Sequence, residues 1–369
     1  MSMFELPPKD LNEDLWTALK KANKPLLVYG MGNGGDKLVK KLSEIGLSVS
    51  DFFASDGFVR GQLFHGKRVL SFSEAKEKYS DFIILVSFGS TRPEVLSLVY
   101  GLAKDHELYI PDMPLAGEEY FTADYYRTHY EECLAVYRSF ADDESRSLYA
   151  SLLWYKLTGD PACLRAAVKT GDEHELLGYS NMTFAVDVGA YRGDTLKEML
   201  AYAPRLAEVI AIEPDEKNYK CLFAYAETVA SCRVACVHAA AYDEEGSLSF
   251  ASSGNRNATI GGEISATASF EHREKQVKST KIDTLTCGRA VDYIKYDTEG
   301  AELAALEGSR ETIVRCAPHL RVSLYHRSED VFSLPLWLTA LMGNRYRYYL
   351  RRCDCIPAWE CELIAVPVK

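Results

Sequence analysis

Short apolar runs alternate with stretches whose apolar residues recur at helical spacing, and the alternation occurs twice along the chain. Residues 1–24 put Leu11, Leu15 and Leu19 on one stripe and predict a capping helix. Leu26-Leu27-Val28-Tyr29 and the runs 49–54, 82–86 and 108–110 then read as strands, with Leu38, Val39, Leu42 and Ile45 marking a helix after the first. Strands separated by helical patterns predict βαβ units and a parallel sheet. Four strands in so short a stretch make a small Rossmann-like unit over 1–117. Residues 118–182 lack strand runs. Tyr125, Tyr126, Tyr130, Leu134, Tyr137, Phe140, Leu148, Leu152 and Tyr155 fall at helical spacing there, which predicts a helical connector packed on the next domain. From 183 to 369 a second α/β unit shows strands at 184–188, 209–212, 234–237, 292–296, 320–325, 346–350 and 362–366. No helical pattern separates the last two, so they should form an antiparallel hairpin. Residues 247–281 are polar and rich in Ser, Thr and Gly, too long for a plain connection, and read as a functional loop.

With 369 residues, the chain has room for two or three domains. Its 47% hydrophobic and 26% charged residues are those of a globular protein and exclude disordered or collagen-like architecture. A formal charge of −11 removes the whole-surface attraction of a general nucleic-acid binder. The basic and aromatic mixture at 344–352 is better explained by alternation along a hairpin strand than by RNA contact. The first residues have no basic region followed by an apolar stretch, and no apolar run is long enough to span a membrane. The expectation is a cytoplasmic protein without membrane or nucleic-acid partners. Ten cysteines without a CxxC pair read as reduced thiols rather than a zinc site.

The chemistry concentrates at strand ends of the second unit. Phe184-Ala185-Val186-Asp187-Val188 runs into Gly189-Ala190-Tyr191-Arg192-Gly193-Asp194-Thr195, a glycine turn that opens an amphipathic helix. Glycine lets backbone approach a ligand, and a fresh helix start offers free N–H groups. The acid Asp187 would repel a pyrophosphate but suits a ligand bearing an ammonium group. Glu213-Pro214 ends the second strand 26 residues after Asp187, where a carboxylate can accept from ribose hydroxyls. Acid, glycine turn and second acid together describe an S-adenosylmethionine pocket of Asp187, Gly189, Ala190, Tyr191, Gly193, Thr195, Glu213 and Pro214. The fourth strand runs into Asp297-Thr298-Glu299-Gly300-Ala301-Glu302. Ligands in open α/β sheets bind beyond the carboxyl ends of the strands, so Asp297 and Glu299 should face the same crevice as Asp187 and Glu213. Helix capping by the same acids is the alternative use of these residues.

These segments, together with Ser323-Leu324-Tyr325-His326 and Tyr349-Leu350-Arg351-Arg352, resemble the FkbM-type S-adenosylmethionine-dependent methyltransferases. Thr298 replaces the valine often found between the first two acids of that pattern. The resemblance covers 183–369 and implies a seven-stranded Rossmann-like sheet with a final antiparallel hairpin. It also implies O-methylation of a sugar, glycan or natural product. Removing a proton from a hydroxyl acceptor needs a base, and Asp297, Glu299 and His326 are the candidates, with the choice open. A carboxylate cluster of this kind can also hold Mg²⁺. In the first unit, Gly30-Met31-Gly32-Asn33-Gly34-Gly35 matches G-x-G-x-x-G, making Gly30, Gly32 and Gly35 a candidate ligand loop. This unit resembles the small sugar-nucleotide-binding domain of PglD-type acyltransferases. Because the glycine loop ends a strand with helix N–H groups free to meet a diphosphate, the unit is expected to hold the nucleotide end of a sugar donor or its product, or to anchor a partner enzyme. The alternatives are a nicotinamide-dependent nucleotide-sugar oxidoreductase or epimerase, a non-catalytic scaffold, and a ligand-free accessory unit. The expected partners are a small-molecule or glycan acceptor, a nucleotide sugar and further copies of the chain. Residues 247–281 are expected to shape or cover the acceptor pocket.

Overall fold

The computed structural model describes residues 5–251, 259–260 and 274–368. The small unit opens with the helix Leu15–Lys21, closed at its start by an Asp14–Thr17 capping box. Its sheet is parallel and five-stranded, in the spatial order Leu70–Ser71, Asp51–Ala54, Leu26–Tyr29, Ile83–Val86, Leu108–Tyr109. The edge strand Leu70–Ser71 and a hairpin of Leu63–Phe64 with Lys67–Arg68 are additions to the four strands expected. Each of these three strands is two residues long, too short to show a period. Every residue of the strands Leu26–Tyr29 and Ile83–Val86 is buried, as expected for a parallel sheet covered on both faces.

Five helices between Ala123 and Leu176 form the connector, the longest being Asp143–Thr158. Its buried residues lie on all sides, because neighbouring helices, the strand Tyr346–Arg352 and, at Lys156, the Asp112 segment surround it.

The second sheet has seven strands in the order Arg233–Val237, Glu208–Ile212, Phe184–Val188, Tyr293–Tyr296, His319–Ser323, Cys361–Pro367, Tyr346–Arg352. The first five pair in parallel and the last two form the antiparallel hairpin expected. Strand order reverses between Phe184–Val188 and Tyr293–Tyr296, which opens a crevice beyond their carboxyl ends. The stretch read as one long loop contains a small second sheet. Gly246–Ala251 pairs antiparallel with Glu274–Thr280, which also joins Ala240–Ala241, and Thr259–Ile260 adds a fourth strand. The rest of that stretch lies outside the described residues, and with it the expectation that it covers a pocket. Among the described residues no helix is long and apolar enough to cross a membrane.

One apolar core runs through all three parts, taking in Leu27 and Ile84, Tyr126 and Leu152, and Val186 and Leu350. Arg351 and Arg352, at the end of the edge strand Tyr346–Arg352, are fully buried. Arg351 pairs with Asp172 at 2.7 Å and Asp142 at 3.0 Å, and Arg352 donates to the carbonyls of Leu164 and Ala167. The basic run at the hairpin thus fastens the connector.

Candidate functional site

At the crevice, two loops touch through their backbones. Gly189 leaves the first strand at φ +79°, and a side-chain carbon there would lie 1.8 Å from the Asp297 carbonyl oxygen. Asp297 N–H donates to Val188 O at 3.0 Å, extending the ladder into the loops. Gly189 and Ala190 N–H both donate to Ile212 O, and Tyr191 N–H donates to Glu213 Oε2 at 2.8 Å. The second oxygen of Glu213 accepts from Asp215 N–H at 2.8 Å. Glu213 is thereby fixed beside the glycine turn by two backbone donors.

These loops frame a cavity of about 220 Å³. Gly189, Ala190, Tyr191, Thr195, Glu213 and Pro214 line it on one side, and Asp297 and Glu299 on the other. Three predicted residues stand back from the wall. Gly193 caps the helix Asp194–Tyr202 at φ +90° and packs against Tyr225. His326 is buried behind the acids. Asp187 does not face the crevice as expected: it lies two residues before the glycine turn, fully buried beside its cross-strand partner Lys295. Sequence reasoning passed over Lys295, Arg321, Tyr325 and Glu198, which also line the cavity. A lysine and an arginine inside otherwise apolar strands were the available signal, since buried charge needs a partner.

Charge is balanced unevenly here. Burial pushes Asp187 up to about 6, against the pull of Lys295, and neither of its oxygens has a hydrogen-bond partner. Burial likewise pushes Glu213 up to about 7 despite its backbone donors. Burial opposes charge on Asp297 as well, but Lys295 Nζ at 3.2 Å, His326 and the Tyr325 hydroxyl outweigh it and hold Asp297 well below the carboxylate range. Ser323 Oγ donates to the same carboxylate at 3.1 Å. His326 sits among three carboxylates: Nδ1 is 3.0 Å from Glu302, and Nε2 is 3.4 Å from Glu299 and 3.6 Å from Asp297. Burial would strip its proton, yet these carboxylates, Glu302 foremost, raise it to about 10. His326 is therefore an imidazolium at neutral pH. Glu302 in turn accepts from Thr298 N–H at 2.6 Å, Thr298 Oγ1 at 2.9 Å and Gly300 N–H at 3.1 Å. It ties the whole turn to the imidazole.

Residues 187–353 match the methyltransferase FkbM domain. The chain carries an FkbM methyltransferase domain. It is an S-adenosylmethionine-dependent methyltransferase, and the crevice of the FkbM domain suits that cofactor. Its acid-rich wall fits a molecule bearing a sulfonium and an ammonium group. A methyltransferase FkbM from Methylobacillus flagellatus KT is similar at 20% identity and a TM-score of 0.68, over 99% of this chain and 95% of its own. That likeness is one of fold, and it takes in the small unit as well as the FkbM domain. An rRNA methylase from Streptococcus thermophilus matches 53% of this chain and 95% of its own at 10% identity and a TM-score of 0.35. Fibrillarin from Aeropyrum pernix, solved with natively bound S-adenosyl-L-methionine, matches 51% of this chain and 68% of its own at 12% identity and a TM-score of 0.31. No curated protein matches the chain.

Asp297, Glu302 and His326 present ligand atoms within 4.8 Å of one another, a span that a metal ion could bridge. In the small unit, Gly30, Gly32 and Gly35 lie where the strand Leu26–Tyr29 passes into the helix Asn33–Glu44. The close approaches there are within the chain: a side-chain carbon on Gly34 would lie 2.0 Å from Ser87 O, and one on Gly35 2.9 Å from the Phe64 ring.

Proposed function

We propose that the enzyme methylates a hydroxyl of a sugar, glycan or natural-product acceptor, with Glu299 taking the hydroxyl proton. S-adenosylmethionine supplies an electrophilic methyl carbon on a sulfonium, so the protein's task is to hold an oxygen in line with it and to accept a proton. One observation carries the reading. Asp297 is engaged by Lys295, Ser323 and Tyr325 and held strongly acidic, and Glu299 lines the same cavity 3.4 Å from His326 Nε2. Glu299 also holds a left-handed backbone, φ +58°, a conformation that a non-glycine residue keeps only where its surroundings impose it. In this scheme Asp297 and Lys295 fix the field at the turn, and His326 steadies the carboxylate before and after proton transfer.

The wall is acidic, so a phosphate close to the reacting hydroxyl would meet like charge. The acceptor is accordingly read as unphosphorylated at that position, and a nucleotide sugar is disfavoured there. We assign Mg²⁺ no role, because Lys295 already places a positive charge against Asp297. The FkbM domain holds the cofactor, and the unit formed by 1–117 is assigned to support rather than to a ligand of its own. The test is to incubate the chain with S-adenosylmethionine and a panel of polyhydroxylated acceptors. Formation of S-adenosylhomocysteine together with O-linked methyl in the product is expected. Methyl found only on nitrogen or carbon would overturn the acceptor class, and a product formed equally well by Glu299→Gln would remove Glu299 as the base.

A further inference from the structure

We propose that the segment 114–117, anchored by Lys37, is a strap through which the small unit positions the catalytic turn and His326. Lys37 lies on the helix Asn33–Glu44 behind the glycine run, and its ammonium donates to Pro114 O at 2.8 Å and Leu115 O at 3.3 Å. Leu115 and Ala116 then turn their own N–H groups the other way, and both donate to His326 O, at 2.9 and 2.8 Å. Two amides on one carbonyl fix the backbone of the buried imidazole. Ala116 also presses on the turn itself: a side-chain carbon on Gly300 would lie 2.4 Å from Ala116 Cβ. Arg327 closes the circuit by donating from Nε to Gly300 O at 2.8 Å.

The strap therefore reaches both halves of the catalytic cluster, the 297–302 turn from one side and His326 from the other. Lys37 makes these bonds where burial pushes its ammonium below the ordinary lysine range, so the two carbonyls are what retain it. Lys37 touches neither cofactor nor acceptor and is a positioning residue. The small unit is on this account part of the methyl-transfer machinery: its first helix after the glycine run sets where the proton acceptor stands. The nearby neutral explanation is ordinary interdomain packing, which would stabilise the fold without favouring the turn.

Amide hydrogen exchange on the full chain with S-adenosylhomocysteine separates the two without needing the acceptor. Lys37→Met should speed exchange at Leu115, Ala116, Thr298 and Gly300 by about fivefold, the loss expected for one hydrogen-bonded tether. Amides of the Phe184–Val188 strand should keep their rates, S-adenosylhomocysteine affinity should stay within about twofold, and Lys37→Arg should restore slow exchange. Uniform acceleration throughout the FkbM domain, or none at Thr298 and Gly300, would overturn the strap. If the Met variant does not fold, Lys37→Gln, which shortens the reach to the two carbonyls, takes its place with the same outcomes. Cofactor affinity reports on the methyltransferase reading and exchange on the strap, so the two can fail separately.

Discussion

Glu213 titrates where an enzyme works. Burial places it at about 7, and its role at the ribose would require the carboxylate. S-adenosylhomocysteine affinity should thus rise by about tenfold between pH 6 and pH 8, as the binding form goes from a minor to the major species. Calorimetry across that range checks it, and a flat profile would remove Glu213 from the ribose. His326 gives the opposite sign in stability. Its folded value is raised from 6.5 to about 10, so its contribution is complete below 6.5 and is lost as pH climbs through about 10. Denaturant midpoints of the parent should fall over that window, and His326→Gln should flatten the fall. Asp297, Glu299 and His326 were legible in the sequence because strand ends in an open sheet face a common crevice. Their roles were not, since those depend on which donors reach which oxygen: Lys295 stands two residues before Asp297 on the same strand, but Ser323 and Tyr325 come from the end of the neighbouring strand, and only folding sets them on Asp297.

Among the elements, the glycine turn is the least forgiving. Gly189→Ala would have to keep φ +79° and displace the Asp297 carbonyl from 1.8 Å, a combined cost of about 2–4 kcal/mol. Thermal unfolding should show this loss, and cofactor affinity should fall with it because Gly189 and Asp297 are both on the wall. A variant of parental stability would mean the loops part easily. The seven strands of the FkbM domain and their closing hairpin were readable from apolar runs alone. The small mixed sheet built from Ala240–Ala241, Gly246–Ala251, Thr259–Ile260 and Glu274–Thr280 was not, because its strands mix small, polar and charged residues and show no clean alternation, although Leu248 and Val277 pack against Ala240 and Ala301. The glycine run near residue 30 was legible as a turn and ambiguous as a ligand loop. Close approach by glycine serves a bound phosphate or a neighbouring strand equally: Ser87 stands against Gly34, whereas nothing lies within 4 Å of a side-chain carbon on Gly32.

Over the whole molecule, the three parts behave as one body of packed side chains. Lys156 of the connector and Asp112, from the end of the small unit, form a 2.6 Å ion pair with 5% and 13% of their side chains exposed. Asp112→Ala would leave the lysine buried without its partner, at a cost of about 3–5 kcal/mol in unfolding free energy. Chemical denaturation should show that loss in one transition shared by probes in both sheets. Two separate transitions would instead make the small unit an independent domain. Periodicity carries no information about contacts made between segments far apart in sequence. The two-way backbone bridge between Ser90 and Ile356, and Trp359 seated on Gly89, come from segments far apart in sequence.

That last contact limits how such a chain can be recombined. Trp359 lies in the link between the final two strands, and Gly89 leaves no room for anything larger beneath it, since a side-chain carbon there would lie 2.1 Å from the indole. A small unit transplanted from another methyltransferase would arrive with its own surface at that point and would fit only if the hairpin link travelled with it. The exchangeable piece is consequently discontinuous: the first 117 residues together with an eight-residue link, 353–360, near the other end of the chain. A chimera joined at a single crossover near residue 117 breaks that lock, whereas one with a second crossover around the link preserves it.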